Sequence, residues 1–239
     1  MRRDVLRAAA EQTDMVFPFF TNGTLMDEEI LSLLNRHRNL IPVLSLEGNR
    51  QQTDARRGAG VYDRIAAGMD MLQRNKILFG VSITVTRQNR ESVLCPAFLA
   101  ALRRQGSGLV IFVEYVPVEE NTRQLALDET ERLWVTQRAG EIKRRFKDMV
   151  VLSFPGDEAS MGGCLASGRG FFHINSVGGA EPCPFSPYAK YNLMDTSMRQ
   201  VLQSDYFRDL QAVAAGAGPH TGGCVLFEKK AEVQALHDE

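Results

Sequence analysis

Along the first 155 residues the apolar positions alternate between two periods. A polar, helix-like pattern at Ala8–Asp14 gives way to Met15–Phe20, a short aromatic run that stops at the turn signal Thr21-Asn22-Gly23. Between Asp27 and His37 the residues Ile30, Leu33 and Leu34 fall on one helical face. Leu40–Leu46 is a second apolar run, closed by Glu47-Gly48, and the polar stretch Asn49–Gly60 reads as a loop. Ile65, Met69 and Leu72 stripe the next helix. Ile77–Thr86 then predicts a strand rich in β-branched residues, Ser92–Arg104 a helix and Leu109–Val116 a strand. Leu125–Lys147 predicts a long helix and Met149–Phe154 a fifth strand.

Strands alternating with helices predict right-handed βαβ units and a parallel sheet, an α/β fold. The strand runs are almost continuously apolar, as they are when both faces are buried. Polar residues gather where the runs end, at Thr21-Asn22, Ser45–Glu47, Thr86-Arg87 and Glu114. Ligands of parallel α/β proteins bind at those carboxyl ends.

The pattern changes after Pro155, where Gly, Pro and Cys become frequent, and a domain boundary is expected near residue 156. Gly170–Val177 alternates like a strand, Gly178-Gly179 reads as a turn, and Ala180–Pro184 reads as the returning strand. Leu193–Val213 is helical, with Met198, Leu202, Tyr206 and Leu210 on one stripe. Gly216–Gly223 reads as a loop and Phe227–Asp238 as a charged terminal helix.

Composition removes several function classes. Lys and Arg number 28 against 29 Asp and Glu, a balance that favours neither nucleic acid nor an anionic membrane as partner. The longest apolar runs, such as Gly108–Val118, are too short to span a bilayer. Met1-Arg2-Arg3 is followed by Asp4 and no long apolar core, so a signal peptide is not expected and a cytoplasmic location is. The histidines His37, His173, His220 and His237 show no HExxH spacing, and no GxSxG occurs, so hydrolase chemistry has no sequence support. Asp157-Glu158 in FPGDE reads as a polar loop or as an acid pair behind a site.

The candidate chemistry lies with the cysteines. Cys95 stands alone in a helical pattern and reads as a buried apolar thiol. Cys164-x13-Gly178-x4-Cys183 sets a thiol at each end of a hairpin, and Cys224 follows in TGGC. Hairpin pairing brings the first two thiols together, and a later loop can deliver the third. This spacing fits an iron–sulfur cluster, a zinc site completed by His173 or His220, or three unrelated buried thiols.

The phrase CLASGRGFFHINSVGGAEPC followed by PF resembles the SPASM or twitch extension of radical S-adenosylmethionine (radical SAM) enzymes. The full extension carries seven cysteines and two auxiliary clusters, so three cysteines resemble the shorter, twitch-like form with one. The resemblance implies an auxiliary [4Fe–4S] cluster on Cys164, Cys183 and Cys224, with one iron left for a ligand other than cysteine, for water or for substrate. Residues 15–155 are similar to the family's barrel from its third strand onward, through FTNGTL (Phe20–Leu25), SLEG (Ser45–Gly48), ITVTRQN (Ile83–Asn89) and FVEYVPV (Phe112–Val118). By resemblance, S-adenosylmethionine (SAM) is met by Ser45 at the ribose and Arg64 at the carboxylate, with Glu47 and Thr86 at the same rim. The expected fold is thus a partial (β/α) radical SAM barrel over 1–155, followed by a small Cys-rich hairpin and helix extension over 156–239.

The family's CxxxCxxC and GGEP motifs do not occur in these 239 residues. The reading is therefore of an N-terminally truncated family member, not competent to cleave SAM as it stands. Its counterpart is a non-catalytic iron–sulfur or zinc module that pairs with another chain. The family's substrates are often peptides or protein side chains, and nothing in these residues names one. An uncovered edge at Met15–Phe20, blunted only by Pro18, is expected to drive dimerisation.

Overall fold

A computed structural model describes residues 2–215 and 224–238. The chain forms two compact units, one of residues 1–114 and 133–154, the other of 115–132 and 155–239.

In the first unit, helix α1 (Arg3–Ala10) precedes strand β1 (Phe17–Thr21), and helix α2 (Glu28–Arg36) follows it. Asp27 caps α2 by accepting the Ile30 N–H at 3.0 Å. Strand β2 (Leu40–Leu46) is followed by helix α3 (Arg50–Arg57), in the stretch that reads from sequence as a loop. That helix buries little and starts from a reciprocal capping box between Asn49 and Gln52, so local hydrogen bonds rather than an apolar stripe specify it. Helix α4 (Val61–Arg74) buries Ile65, Met69 and Leu72, each such side chain contributing about 1.5–3 kcal/mol.

Strand β3 is Gly80–Val85. The helix expected over Ser92–Arg104 is two, α5 (Arg90–Val93) and α6 (Pro96–Arg104), because Pro96 has no N–H to continue the first and serves as the opening residue of the second. Strand β4 (Leu109–Glu114), helix α7 (Glu129–Arg145) and strand β5 (Val150–Phe154) complete the set, with a short 3-10 helix, Glu120–Leu125, ahead of α7.

The five strands are all parallel and lie in sequence order, β1-β2-β3-β4-β5. Right-handed crossovers between sequential neighbours place connecting helices on one face of such a sheet, and α1 and α4 contact β2 while α5 contacts β3. Side chains of that face, including Leu44, Leu46, Val81, Ile83, Val110 and Phe112, are fully buried. The other face carries Ser45, Ser82, Thr84, Val113, Leu152 and Phe154, all half-buried. This is the wall of a partial barrel, helices outside and small polar side chains within. β1 forms one edge, with Phe20 60% exposed.

The second unit holds a three-stranded antiparallel sheet of β6 (His173–Ile174), β7 (Gly179–Glu181) and β8 (Tyr191–Asn192). The strand expected over Gly170–Val177 contracts to two residues, since Asn175 turns the chain: its N–H donates to Gly179 O at 3.0 Å and its Oδ1 accepts the Gly179 N–H at 2.8 Å. Gly178 adopts φ +86°, the left-handed conformation that the turn signal requires.

The helix expected over Leu193–Val213 is likewise two, α8 (Met198–Leu202) and α9 (Asp205–Ala215). Ser197 and Gln200 box the start of α8, and the Ser204 hydroxyl accepts the Phe207 N–H at 3.2 Å to restart the helix. Helices α10 (Val225–Glu228) and α11 (Lys230–Asp238) end the described chain. The unit's core gathers Val116, Ala180, Val201, Tyr206, Phe207, Leu210, Leu226 and Val233. The loop expected at 216–223, with His220, lies outside the described residues.

Candidate functional sites

Each unit carries a candidate site. In the first, the carboxyl ends of β2 and β3 are tied together by one side chain. Asn89 accepts the Thr86 N–H at 2.8 Å through Oδ1 and donates through Nδ2 to Glu47 O at 3.0 Å and to Thr84 O at 2.9 Å. The Thr86 hydroxyl also donates to Asn89 Oδ1, at 3.2 Å. The Thr53 hydroxyl accepts the Glu47 N–H at 3.3 Å. The backbone at Glu47 and Thr86 is therefore fixed from both sides.

The Glu47 carboxylate is 2% exposed and is held by two guanidinium groups of α3, Arg56 at 2.9 Å and Arg57 at 2.5 Å. Burying a carboxylate is tolerable only with such charged partners. Ser45 lies half-buried on the inner face, in register with Ser82. Arg64 is exposed on α4. So Glu47 and Thr86 come together through Asn89, Ser45 lies two residues before Glu47 on the same strand end, and Arg64 makes no ion pair among the described residues. Asn89 has no assigned role in the sequence reading. Its signal there is the T-x-x-N spacing from Thr86, which suits an Asn side chain that folds back on the preceding backbone.

In the second unit the three cysteines of the hairpin motif converge. Cys183 and Cys224 are buried at 6% and 8% exposure, and Cys164 is half-buried. The Cys183 thiol hydrogen-bonds Cys224, and Cys164 lies within electrostatic range of both. The backbone N–H groups of Ala166 near Cys164, of Phe185 near Cys183, and of Leu226 and Phe227 near Cys224 favour the ionised sulfur. These donors sit where a thiolate, not a thiol, benefits from them.

Burial pushes Cys164 up to about 11. The hydrogen bond between Cys183 and Cys224 raises Cys183, as does burial, and lowers Cys224.

Arg169 braces the loop before Cys164, donating to the carbonyls of Met161 at 3.0 Å, Gly162 at 3.2 Å and Cys164 at 2.8 Å. Glu158 is 9% exposed, and its Oε1 accepts the Leu165 N–H at 3.2 Å. His173 contacts Glu181 at 2.6 Å through Nδ1, and Asn175 Nδ2 donates to the other Glu181 oxygen at 2.8 Å. Among the described residues no three His, Cys, Asp or Glu side chains are close enough to hold a single metal ion. A cluster spreads its ligands over the corners of a cube, a wider spacing than one zinc ion takes. The sulfur donors that would hold such a group in this unit are Cys164, Cys183 and Cys224. Cys95, half-buried at the start of α6, lies in the other unit.

The sequential parallel arc with helices on one face is the fold of radical SAM enzymes, and comparison with known proteins supports a radical SAM family for the chain. In sequence it is 25% identical over 236 residues to an AdoMet-dependent heme synthase of Methanosarcina barkeri (strain Fusaro / DSM 804), covering 88% of this chain and 67% of that protein. It is 30% identical over 119 residues to the Fe-coproporphyrin III synthase of the same organism, covering 48% of this chain and 29% of the relative.

In structure it matches Streptococcus suis SuiB bound to S-adenosylmethionine with TM-score 0.68 and 13% identity, over 88% of this chain and 53% of that one. It matches native anSMEcpe with bound AdoMet and Cp18Cys peptide with TM-score 0.65 and 15% identity, over 85% and 61%. Both are SPASM-type radical SAM proteins. The chain thus spans between about half and three fifths of these solved structures. No family model matches the sequence. Among the described residues no helix is long and apolar enough to cross a membrane.

Proposed function

We propose that the chain is part of a radical SAM oxidoreductase or maturase. Its second unit holds one auxiliary [4Fe–4S] cluster on Cys164, Cys183 and Cys224. The observation that carries this reading is the gathering of the three cysteines in one apolar cluster of the second unit, Cys183 and Cys224 buried within it and Cys164 packed against it. When bound, such a cluster supplies electron transfer or a site for substrate. The chain's own residues keep it dry, hold the thiolates and set the charge around them.

In the first unit, Ser45, Glu47, Arg64 and Thr86 are the SAM-facing residues of this reading, and Asn89 positions the two strand ends that carry them. Arg56 and Arg57 hold the Glu47 carboxylate and fix its orientation. The two sequence relatives are named for heme and Fe-coproporphyrin synthesis, which favours an iron porphyrin or its precursor over a peptide as the substrate class.

Anaerobic reconstitution with iron and sulfide tests the cluster. Iron, sulfide and visible absorbance should fall sharply in Cys164→Ala, Cys183→Ala and Cys224→Ala, and little in Cys95→Ala. Equal loss from Cys95→Ala would show the ligand set to be wrong. Stoichiometric zinc without iron would replace the reading with that of a zinc module.

A further inference from the structure

Two buried hydroxyls of the second unit, Ser167 Oγ and Ser186 Oγ, have no hydrogen-bond partner among the described residues. We propose that both donate to sulfur of the auxiliary cluster, beside Cys183, and hold its reduction potential up. The proposal rests on the cluster reading above and adds two residues that ligate nothing.

Each serine stands three residues after a cysteine, in Cys164-Leu165-Ala166-Ser167 and in Cys183-Pro184-Phe185-Ser186. The fold brings both to the Cys183 segment. The Ser186 N–H donates to Cys183 O at 2.9 Å and closes a tight turn, and the two residues form an isolated backbone bridge. The Ser167 N–H donates to Pro182 O at 3.1 Å, so Ser167 lies against the residue that precedes Cys183. The Ser167 carbonyl accepts the Gln211 side-chain amide at 2.7 Å, which ties its turn to α9. Ala166, just before Ser167, belongs to the apolar core that also contains Cys183 and Cys224.

Both serines are 1% exposed. A buried hydroxyl without a partner carries a desolvation cost that alanine in its place would not. Ser167 carries a second cost. Its φ is +55°, in the left-handed region that glycine enters freely and serine does not. Glycine at position 167 would remove both costs at once. Thiolate and sulfide sulfurs of a cluster are anionic acceptors, and a hydroxyl kept beside them at such cost has a use there. An O–H donor favours the form of the cluster with more negative charge. That is the reduced form, so the donor raises the potential.

The test uses the full chain as wild type, Ser167→Ala, Ser167→Gly, Ser186→Ala and the double alanine variant. The midpoint potential of anaerobically reconstituted protein is followed by electron paramagnetic resonance during reductive titration. The metal-free chain is unfolded in urea. Each lost hydroxyl should shift the reduction equilibrium about tenfold toward the oxidised form, a fall of about 59 mV for one electron, and the double variant should fall further. Ser167→Ala and Ser167→Gly should fall alike, because the donor and not the backbone sets the potential. Without metal, the alanine variants should unfold at no lower urea than wild type, and Ser167→Gly at higher urea. Serines that only supported the fold would do the reverse, lowering stability in urea and leaving the potential in place.

Iron-loaded alanine variants with the wild-type potential overturn the assignment of the serines and leave the three-cysteine site standing. Metal-free alanine variants that unfold at lower urea show the hydroxyls to be bonded within the protein and overturn it too. Wild type that takes up no iron overturns the cluster reading, and this proposal falls with it.

Discussion

Asn89→Ala probes the first site most directly. The side chain is 6% exposed and engages three backbone groups, the Thr86 N–H, Glu47 O and Thr84 O. Alanine leaves all three without it. Thr84 is half-buried, and water can replace the lost donor there. Glu47 and Thr86 are 2% and 7% exposed, and water reaches them poorly. A buried group left unpaired costs about 1–3 kcal/mol, so two of them cost about 2–4 kcal/mol once their shared partner is counted once.

Asn89→Asp sharpens the argument. It keeps an acceptor for the Thr86 N–H but turns a carboxylate oxygen toward two carbonyls, so it should be no more stable than the alanine variant. Urea unfolding followed by the fluorescence of Trp134, the single tryptophan, reports on this unit. A loss below about 0.5 kcal/mol for Asn89→Ala, or an aspartate variant as stable as wild type, would refute the bracing role.

Further outcomes follow from the second unit and from the sequence. Phe207 is fully buried and meets Phe172 edge-to-face at 5.9 Å, so Phe207→Ala should cost about 3–5 kcal/mol by urea unfolding and lower iron uptake. Gly178→Ala forces φ +86° on a side-chain-bearing residue and sets its Cβ 2.7 Å from Asn192 Oδ1; a loss of about 1–3 kcal/mol is expected from the same measurement. The Cys164 thiol is raised from 9.0 to about 11, so the native apo-protein keeps a proton that the unfolded chain has lost. Apo stability should therefore be full below pH 9.0 and fall as pH rises toward about 11, with Cys164→Ala showing a shallower fall. These 239 residues contain no CxxxCxxC, so dithionite with SAM and the purified chain should yield no 5′-deoxyadenosine above blank; protein-dependent product would overturn that expectation.

The sheet was legible because its signal is strong and local. Leu40–Leu46 is β2 residue for residue, and the polar ends of the strands mark the rim where Glu47 and Thr86 meet. What escaped is specified by hydrogen bonds rather than by apolar period. Helix α3 has no apolar stripe and depends on Asn49 and Gln52. Pro96 and Ser204 break helices whose apolar spacing runs on across the break. Strand β8 is two residues held against β7, too short for any alternation to show.

At the sites, cysteine spacing named the thiols that converge, since a hairpin has few ways to arrange its ends. Asn89 matters through hydrogen bonds to backbone groups on two strand ends, and those depend on where a distant backbone group, Glu47 O, lies.

The two faces of the five-stranded sheet differ in what a substitution there would disturb. On the helix-covered face a substitution at Ile83 or Val110 is paid for in folding, since nothing there touches solvent. On the inner face Ser45, Ser82 and Thr84 are small and half-buried, so exchange among Ser, Ala and Thr leaves the fold nearly untouched. Saturation mutagenesis scored for abundance and for activity should therefore split along β2 and β3 with the two-residue rhythm of the strand. Outward positions would fail both scores, while inward ones would fail only the second.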